Sequence, residues 1–227
     1  MTLSYMILAA QAASQGVQNS QISVWELTQK GGWLMIPLAL LLLVSIYIFF
    51  ERLFATSRVT KADNNFLQQI KGLIQQGKID EAKQLCAATD KPYSRMIEKG
   101  VSRIGRPMND VLVAIENVGN MEVAKMEKGF NWLATTAAGA PMIGFLGTVT
   151  GMVQAFYSLA SAGQNSNVSI LASGIYEALV TTVAGLIVGI LALFAYNYLT
   201  SRVNKIMNRL EGSTMEFMDL LNEPAKK

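Results

Sequence analysis

Between Lys128 and Arg202 the chain carries one charged residue, Glu177. No other stretch restricts the fold so strongly. A lone carboxylate in a long apolar segment sits either in a soluble core or inside a bilayer. Both placements carry a desolvation cost, and the bilayer placement points to function. Charged residues make up only 15% of the chain, against about a quarter in a typical soluble domain. The mean hydropathy is +0.30. The bilayer is therefore the expected setting.

Three apolar stretches are long enough to cross it, about 20 helical residues each. Residues 31–50 hold no charge and include the run from Leu38 to Val44, with Pro37 in the first turns, where a proline disturbs a helix least. Residues 132–159 form a second span, interrupted by Pro141. Residues 170–200 form a third, which contains Glu177. The short polar stretch 160–169 joins the last two. The expected fold is an all-α integral membrane protein with three transmembrane helices and long helices extending into a cytoplasmic helical domain.

The segment 51–131 differs in kind. From Glu51 to Lys128 it holds 13 basic and 10 acidic residues, so it belongs in water. Phe66, Ile70, Leu73 and Ile74 recur at helical spacing, as do Ile79, Ala82, Leu85 and Cys86. This predicts a helical hairpin turning near Gly77. Further breaks are expected at Lys91-Pro92 and at Gly105-Arg106-Pro107. Beyond Pro107 no stop signal is evident, so one helix is predicted to run straight into the second span. Residues 201–227 read as a C-terminal amphipathic helix and tail. Residues 1–30 read as an interfacial segment, with Trp25 and Trp33 as anchors.

Basic residues orient the spans. Arg52, Arg58, Lys61, Lys125, Lys128, Arg202, Lys205 and Arg209 flank one side; the other offers Lys30. The positive-inside rule then places the N-terminus in the periplasm and segment 51–131 and the C-terminus in the cytoplasm. The net charge of +3 gives no reason to expect nucleic acid. With no histidine and one cysteine, Cys86, a His-based catalytic centre, a His/Cys metal cluster and an internal disulfide are all excluded. Cys86 reads as an ordinary buried apolar residue. No nucleotide motif is present. An enzyme, a metal and a cofactor are not expected.

The candidate chemistry lies in the last two spans. Thr181 is one helical turn from Glu177, and Thr182 follows it. Thr148 of the antiparallel second span has a similar expected depth. Together these groups could line a narrow polar path for protons. Gly147 and Gly151 form a small-xxx-small pair, and Gly174, Ala178, Thr181, Gly185, Gly189 and Ala192 form one small-residue face suited to close helix packing. The bland alternative is that the threonines bond their own backbone and the glycines only pack.

These motifs resemble a known family. The run from Ala140 to Met152 (APMIGFLGTVTGM), followed by Phe156, is similar to the signature of the ExbB/TolQ/MotA proton-channel family. So is Ile175 to Thr182 (IYEALVTT), with Gly185-Leu186 and Tyr196-Asn197 after it. Three spans and the glutamate favour the ExbB/TolQ branch over a four-span MotA type. The resemblance implies an inner-membrane stator subunit, a homo-oligomer (a pentamer in the family), surrounded by membrane lipid. Its pore would hold helices of an ExbD/TolR-type single-span protein with an intramembrane aspartate. Proton flow would energise a TonB-like protein and hence outer-membrane import. Thr148 and Thr182 match the family's pore threonines and Glu177 its pore glutamate; Pro141 and Gly144 match helix-shaping positions. Leu191 stands where the family usually has a proline. The resemblance does not separate a TonB-system role from a Tol-Pal role, nor H⁺ from Na⁺. A non-conducting scaffold whose glycine faces assemble other proteins is the competing class.

Overall fold

The computed structural model describes residues 31–59, 64–161 and 168–222, and every regular element among them is helical. The elements are α1 (Met35–Val59), α2 (Asn64–Gln75), α3 (Ile79–Thr89), α4 (Pro92–Val101), α5 (Met108–Met126), α6 (Phe130–Ser161) and α7 (Val168–Asn222). Three of them contain segments long and apolar enough to cross a membrane, within Met35–Ser57, Phe130–Ser161 and Leu171–Asn222; their most apolar 18-residue stretches have mean hydropathies of 2.1, 1.3 and 2.5. The chain is an all-α membrane protein. The N-terminal interfacial segment expected at 1–30 lies outside the described residues, as does most of the loop after α6.

The described chain divides into two units. One holds residues 31–36 and Gly144–Ala184; the other holds Pro37–Ile143 and 185–222.

Glycine and proline set the breaks in the second unit. Gly77 takes φ +73° between α2 and α3, a conformation that costs glycine little. Asp90 ends α3 in the left-handed region at φ 40°, which aspartate tolerates better than most residues. Lys91 before Pro92 is extended, as a pre-proline residue must be, and Pro92 opens α4. The Ser94 hydroxyl donates to the Lys91 carbonyl and accepts from the Lys91 N–H, both at 2.9 Å. The four helices of the water-facing segment share one core with the ends of the spans. Phe66, Ile70, Cys86, Ile97 and Ile115 are buried together with Leu133 of α6 and Leu199, Val203 and Phe217 of α7.

One expectation is corrected here. The single helix predicted from Pro107 into the second span is broken at Glu127–Gly129, where Gly129 has φ +93°. A Cβ on Gly129 would meet Ile48 at an ordinary 3.4 Å, so the backbone and not the space calls for glycine. Beyond the uncharged stretch 31–50 the first helix continues through Glu51 and Arg52. These two pair with each other at 2.9 Å, Thr56 and Ser57 bond back to the carbonyls of Arg52 and Leu53, and α1 continues to Val59.

Arg95 and Glu122 join α4 to α5. Glu122 is 4% exposed, and it accepts from Arg95 Nη2 at 2.7 Å, from Arg95 Nε at 3.2 Å and from Lys125 Nζ at 2.7 Å. Burial would raise the Glu122 carboxyl; the hydrogen bonds from Arg95 and Lys125 outweigh it and hold its pKa below the usual carboxylate value. The hydrogen bond to Glu122 is the main reason that the Arg95 guanidinium is held more firmly protonated than usual.

Within the same unit, Pro141 sits inside α6 and cannot donate to the carbonyl of Ala137 four residues back. Gly189 of α7 lies against this spot. A Cβ there would come within 2.7 Å of Pro141 Cγ and 3.1 Å of the Ala137 oxygen.

Candidate functional site

In the first unit, α6 and α7 touch through residues without bulk. A Cβ on Gly144 would lie 3.1 Å from the Thr181 carbonyl oxygen and from Thr182 Cα. On Gly147 it would lie 2.8 Å from Thr181 Cβ, on Gly151 2.9 Å from Ala178 Cβ, and on Gly174 2.5 Å from Ala155 Cβ. This is close backbone approach of the small-xxx-small kind. It fixes an antiparallel register in which Gly147 stands opposite Thr181. Of the small residues that α7 carries in this unit, Ala178 and Thr181 are buried and Gly174 is half-buried.

Along one edge of this contact runs a polar cleft of about 340 Å³. From α6 it is lined by Gly147, Thr150, Gln154 and Ser158, and from α7 by Ser173, Glu177 and Thr181. The turn Gly31–Leu34 completes the wall. Gly32 holds φ +65°, and a Cβ on it would overlap Glu177 Oε1. The backbone conformation calls for glycine at that point, and a side chain there would push the Glu177 carboxylate aside. Glu177 is exposed to the cleft. Among the described residues no cation lines the cleft.

A charged side chain at a helix centre costs about 2.5–3.5 kcal/mol on insertion scales. A cleft with hydroxyls and an amide lowers that cost by holding water against the carboxylate. Such a site can bind and release a proton. It supplies neither a nucleophile-base pair nor, among the described residues, any group of three or more His, Cys, Asp and Glu side chains suited to a metal.

The threonines divide between two sides. Thr181 is 2% exposed, and its hydroxyl donates to the Glu177 carbonyl at 2.8 Å. It borders the cleft while packing on Gly147. The Thr182 hydroxyl donates across to the Gly144 carbonyl at 2.9 Å and ties the two helices together. The Thr148 hydroxyl donates to the Phe145 carbonyl at 2.6 Å. All three hydroxyl protons are thus engaged, and only acceptor lone pairs remain. Glu177 and Thr182 are five residues apart, so they project about 140° apart around α7, on opposite edges of the packed face. Neither Thr182 nor Thr148 lines the cleft. One copy of the chain brings Glu177 together with Thr181, and not with Thr148 or Thr182.

Thr150, Gln154 and Ser158 were not among the residues expected at the site. Their four-residue spacing marks one polar stripe on a helix, and Gln154 is the one amide between Trp132 and Leu159. Ser173 and the Gly31-Gly32 turn join them only through the fold.

Comparison with known proteins gives the chain its relatives. The sequence model of the MotA/TolQ/ExbB proton channel family matches residues 88–212, which include the stripes that form the cleft. An ExbB homolog of Methanothermobacter thermautotrophicus is 30% identical over 193 residues, covering 83% of this chain and 67% of that protein. The Tol-Pal system protein TolQ of Haemophilus influenzae is 33% identical over 144 residues, 63% of each chain. The biopolymer transport protein ExbB of Neisseria gonorrhoeae is 33% identical over 145 residues, 58% of this chain and 65% of that one. Three apolar spans, a lone intramembrane glutamate in a glycine-packed helix pair and a family match over more than half of the sequence lead to one conclusion: this chain belongs to the MotA/TolQ/ExbB proton channel family.

Proposed function

We propose that the chain is the stator subunit of a proton-driven motor of the inner membrane, energising TonB-dependent import across the outer membrane. One observation carries this reading: the only carboxylate between Lys128 and Arg202 opens into a polar cleft and is not consumed by an ion pair among the described residues. Packing alone does not call for such a group. Moving one charge through the membrane potential releases about 2.3 kcal/mol per 100 mV. Converting it to work requires a second titrating group that moves past the first. The family resemblance supplies one, an ExbD/TolR-type single-span partner with an intramembrane aspartate, held in a pore formed by several copies of this chain.

In this reading Glu177, Thr148, Thr181 and Thr182 line the proton pathway, while Pro141, Gly144, Gly147, Gly151, Gly185 and Gly189 shape and pack the helices. Since Glu177 and Thr182 lie on opposite edges of α7, a path that uses both needs adjacent copies. That favours an oligomer, the pentamer of the family. In this reading the N-terminus lies in the periplasm and segment 51–131 in the cytoplasm, which the basic residues flanking the spans favour. A Tol-Pal role is the second reading, because the TolQ of H. influenzae and the ExbB of N. gonorrhoeae are equally identical to this chain, at 33%.

The test compares Glu177→Ala and Thr148→Val, with assembly and proton-dependent uptake measured separately in cells that lack their own subunit. Loss of uptake with assembly intact is expected. Wild-type uptake by both assembled variants would leave a passive scaffold as the better account.

A further inference from the structure

One face of α7 changes its chemistry within a few turns. Leu191, Ala195, Tyr198, Arg202, Lys205 and Arg209 recur at spacings of four, three, four, three and four residues, so they form a single stripe. On the N-terminal side of Tyr198 the stripe borders an apolar trough of about 540 Å³ between α7 and α1, walled on the α1 side by Leu42, Ile46 and Phe49. On the C-terminal side it borders a cavity of about 280 Å³ lined by Ser201, Arg202, Lys205 and Arg209. Tyr198 belongs to both. Both lie within the second unit.

Among the described residues, no carboxylate lines either cavity and neither Lys205 nor Arg209 forms an ion pair. Arg202 is steadied by donating to Ser57 Oγ at 2.8 Å, which leaves its charge uncompensated. Three cations at the end of a span attract an anion, and the trough beside them attracts hydrocarbon. A free phosphate would leave the trough unfilled. A second copy laid in the trough would leave the cations unmatched. One amphiphile satisfies both. Tyrosines favour the depth where acyl chains meet headgroups, and basic pockets beside transmembrane helices bind anionic headgroups.

We infer that this stripe is a binding site for an anionic phospholipid, its phosphate on Arg202, Lys205 and Arg209 and an acyl chain in the trough lined by Leu42 and Leu191. The site rests on the three-span fold and is independent of proton coupling.

The test titrates the full chain, purified in neutral detergent, with phosphatidylglycerol, phosphatidylcholine and glycerol 3-phosphate, reading bound lipid by native mass spectrometry. Saturable binding of phosphatidylglycerol in preference to both others is expected. Lys205→Gln with Arg209→Gln, both exposed, should weaken it about 30-fold, from roughly fivefold per cation near a membrane surface. Ala195→Phe fills the trough and should weaken it while the cations remain. Equal binding of phosphatidylcholine would overturn the site, and so would glycerol 3-phosphate binding as tightly as the lipid or variants that bind like the wild type. Absence of lipid from an intact oligomer would assign the trough to a neighbouring copy instead.

Discussion

Replacing Gly189 by alanine tests the packing of α6 on α7 where Pro141 interrupts the hydrogen-bond ladder. The new methyl group would lie 2.7 Å from Pro141 Cγ, 2.8 Å from Cδ and 3.1 Å from the Ala137 oxygen. A proline ring has no rotamer into which to retreat, and the carbonyl is backbone, so the helices themselves must separate. Overpacking of this kind costs about 1–3 kcal/mol. At roughly 2–4 °C per kcal/mol for a chain of this size, the melting midpoint should fall by about 2–12 °C. Gly212, on the same helix, is the control. It is exposed, and a Cβ there meets nothing within 4 Å. Gly212→Ala should raise stability by up to about 1 kcal/mol through helix propensity alone. Both variants and the wild type would be melted in one detergent, following intrinsic tryptophan fluorescence. A Gly189→Ala midpoint at or above the Gly212→Ala midpoint would refute the steric argument.

Further outcomes follow from the water-facing segment and the cleft. Arg95→Ala should destabilise by about 2–3 kcal/mol in denaturant melts, below the cost of breaking a fully buried pair because Arg95 keeps a third of its side chain exposed and Lys125 still faces Glu122. The folded-state pKa of Glu122 is depressed, so its stabilisation is present above the unfolded carboxylate pKa near 4.3 and is lost as pH falls through the folded value. Glu122→Gln should therefore flatten the acid limb of a stability-pH profile. The Cys86 thiol is fully buried and its pKa is pushed up to about 12, mainly by desolvation, so a maleimide at neutral pH should react only after unfolding. In a Cys86→Ala background, Asp80→Cys places a thiol at a side chain 94% exposed; an impermeant maleimide should label it only in permeabilised cells if segment 51–131 is cytoplasmic. Gln154→Leu removes the amide from the cleft and should reduce proton-dependent uptake while assembly is unchanged.

Much of the fold is legible in the sequence because strong local physics imposes it. The spans follow from uncharged length, and the breaks at Gly77, Pro92 and Pro107 follow from backbone conformations that few residues tolerate. Gly129 imposes a break of the same kind, yet it is masked by an apolar period that continues from Val118 through Phe130 to Leu133. Glu122 reads as one more solvated charge in a charge-rich segment, since its partner Arg95 is 27 residues away and reaches it only through the packing of α4 on α5. Register along a span comes directly from residue count, and Gly147 stands opposite Thr181. Facing is harder to read. Helical spacing alone puts Glu177 and Thr182 on different edges of α7, but which edge holds a cleft depends on the partner helix and on the Gly31-Gly32 turn. The stripe of Thr150, Gln154 and Ser158 is present in the spacing and gains meaning only opposite Glu177.

The most direct measurement of the central claim is uptake energised by the Glu177→Gln variant, which keeps the side-chain size and removes its titration. It would be read beside copurification with the single-span partner. Intact assembly with uptake abolished is the predicted result. Intact assembly with uptake at the wild-type rate would contradict a working role for the one carboxylate between Lys128 and Arg202.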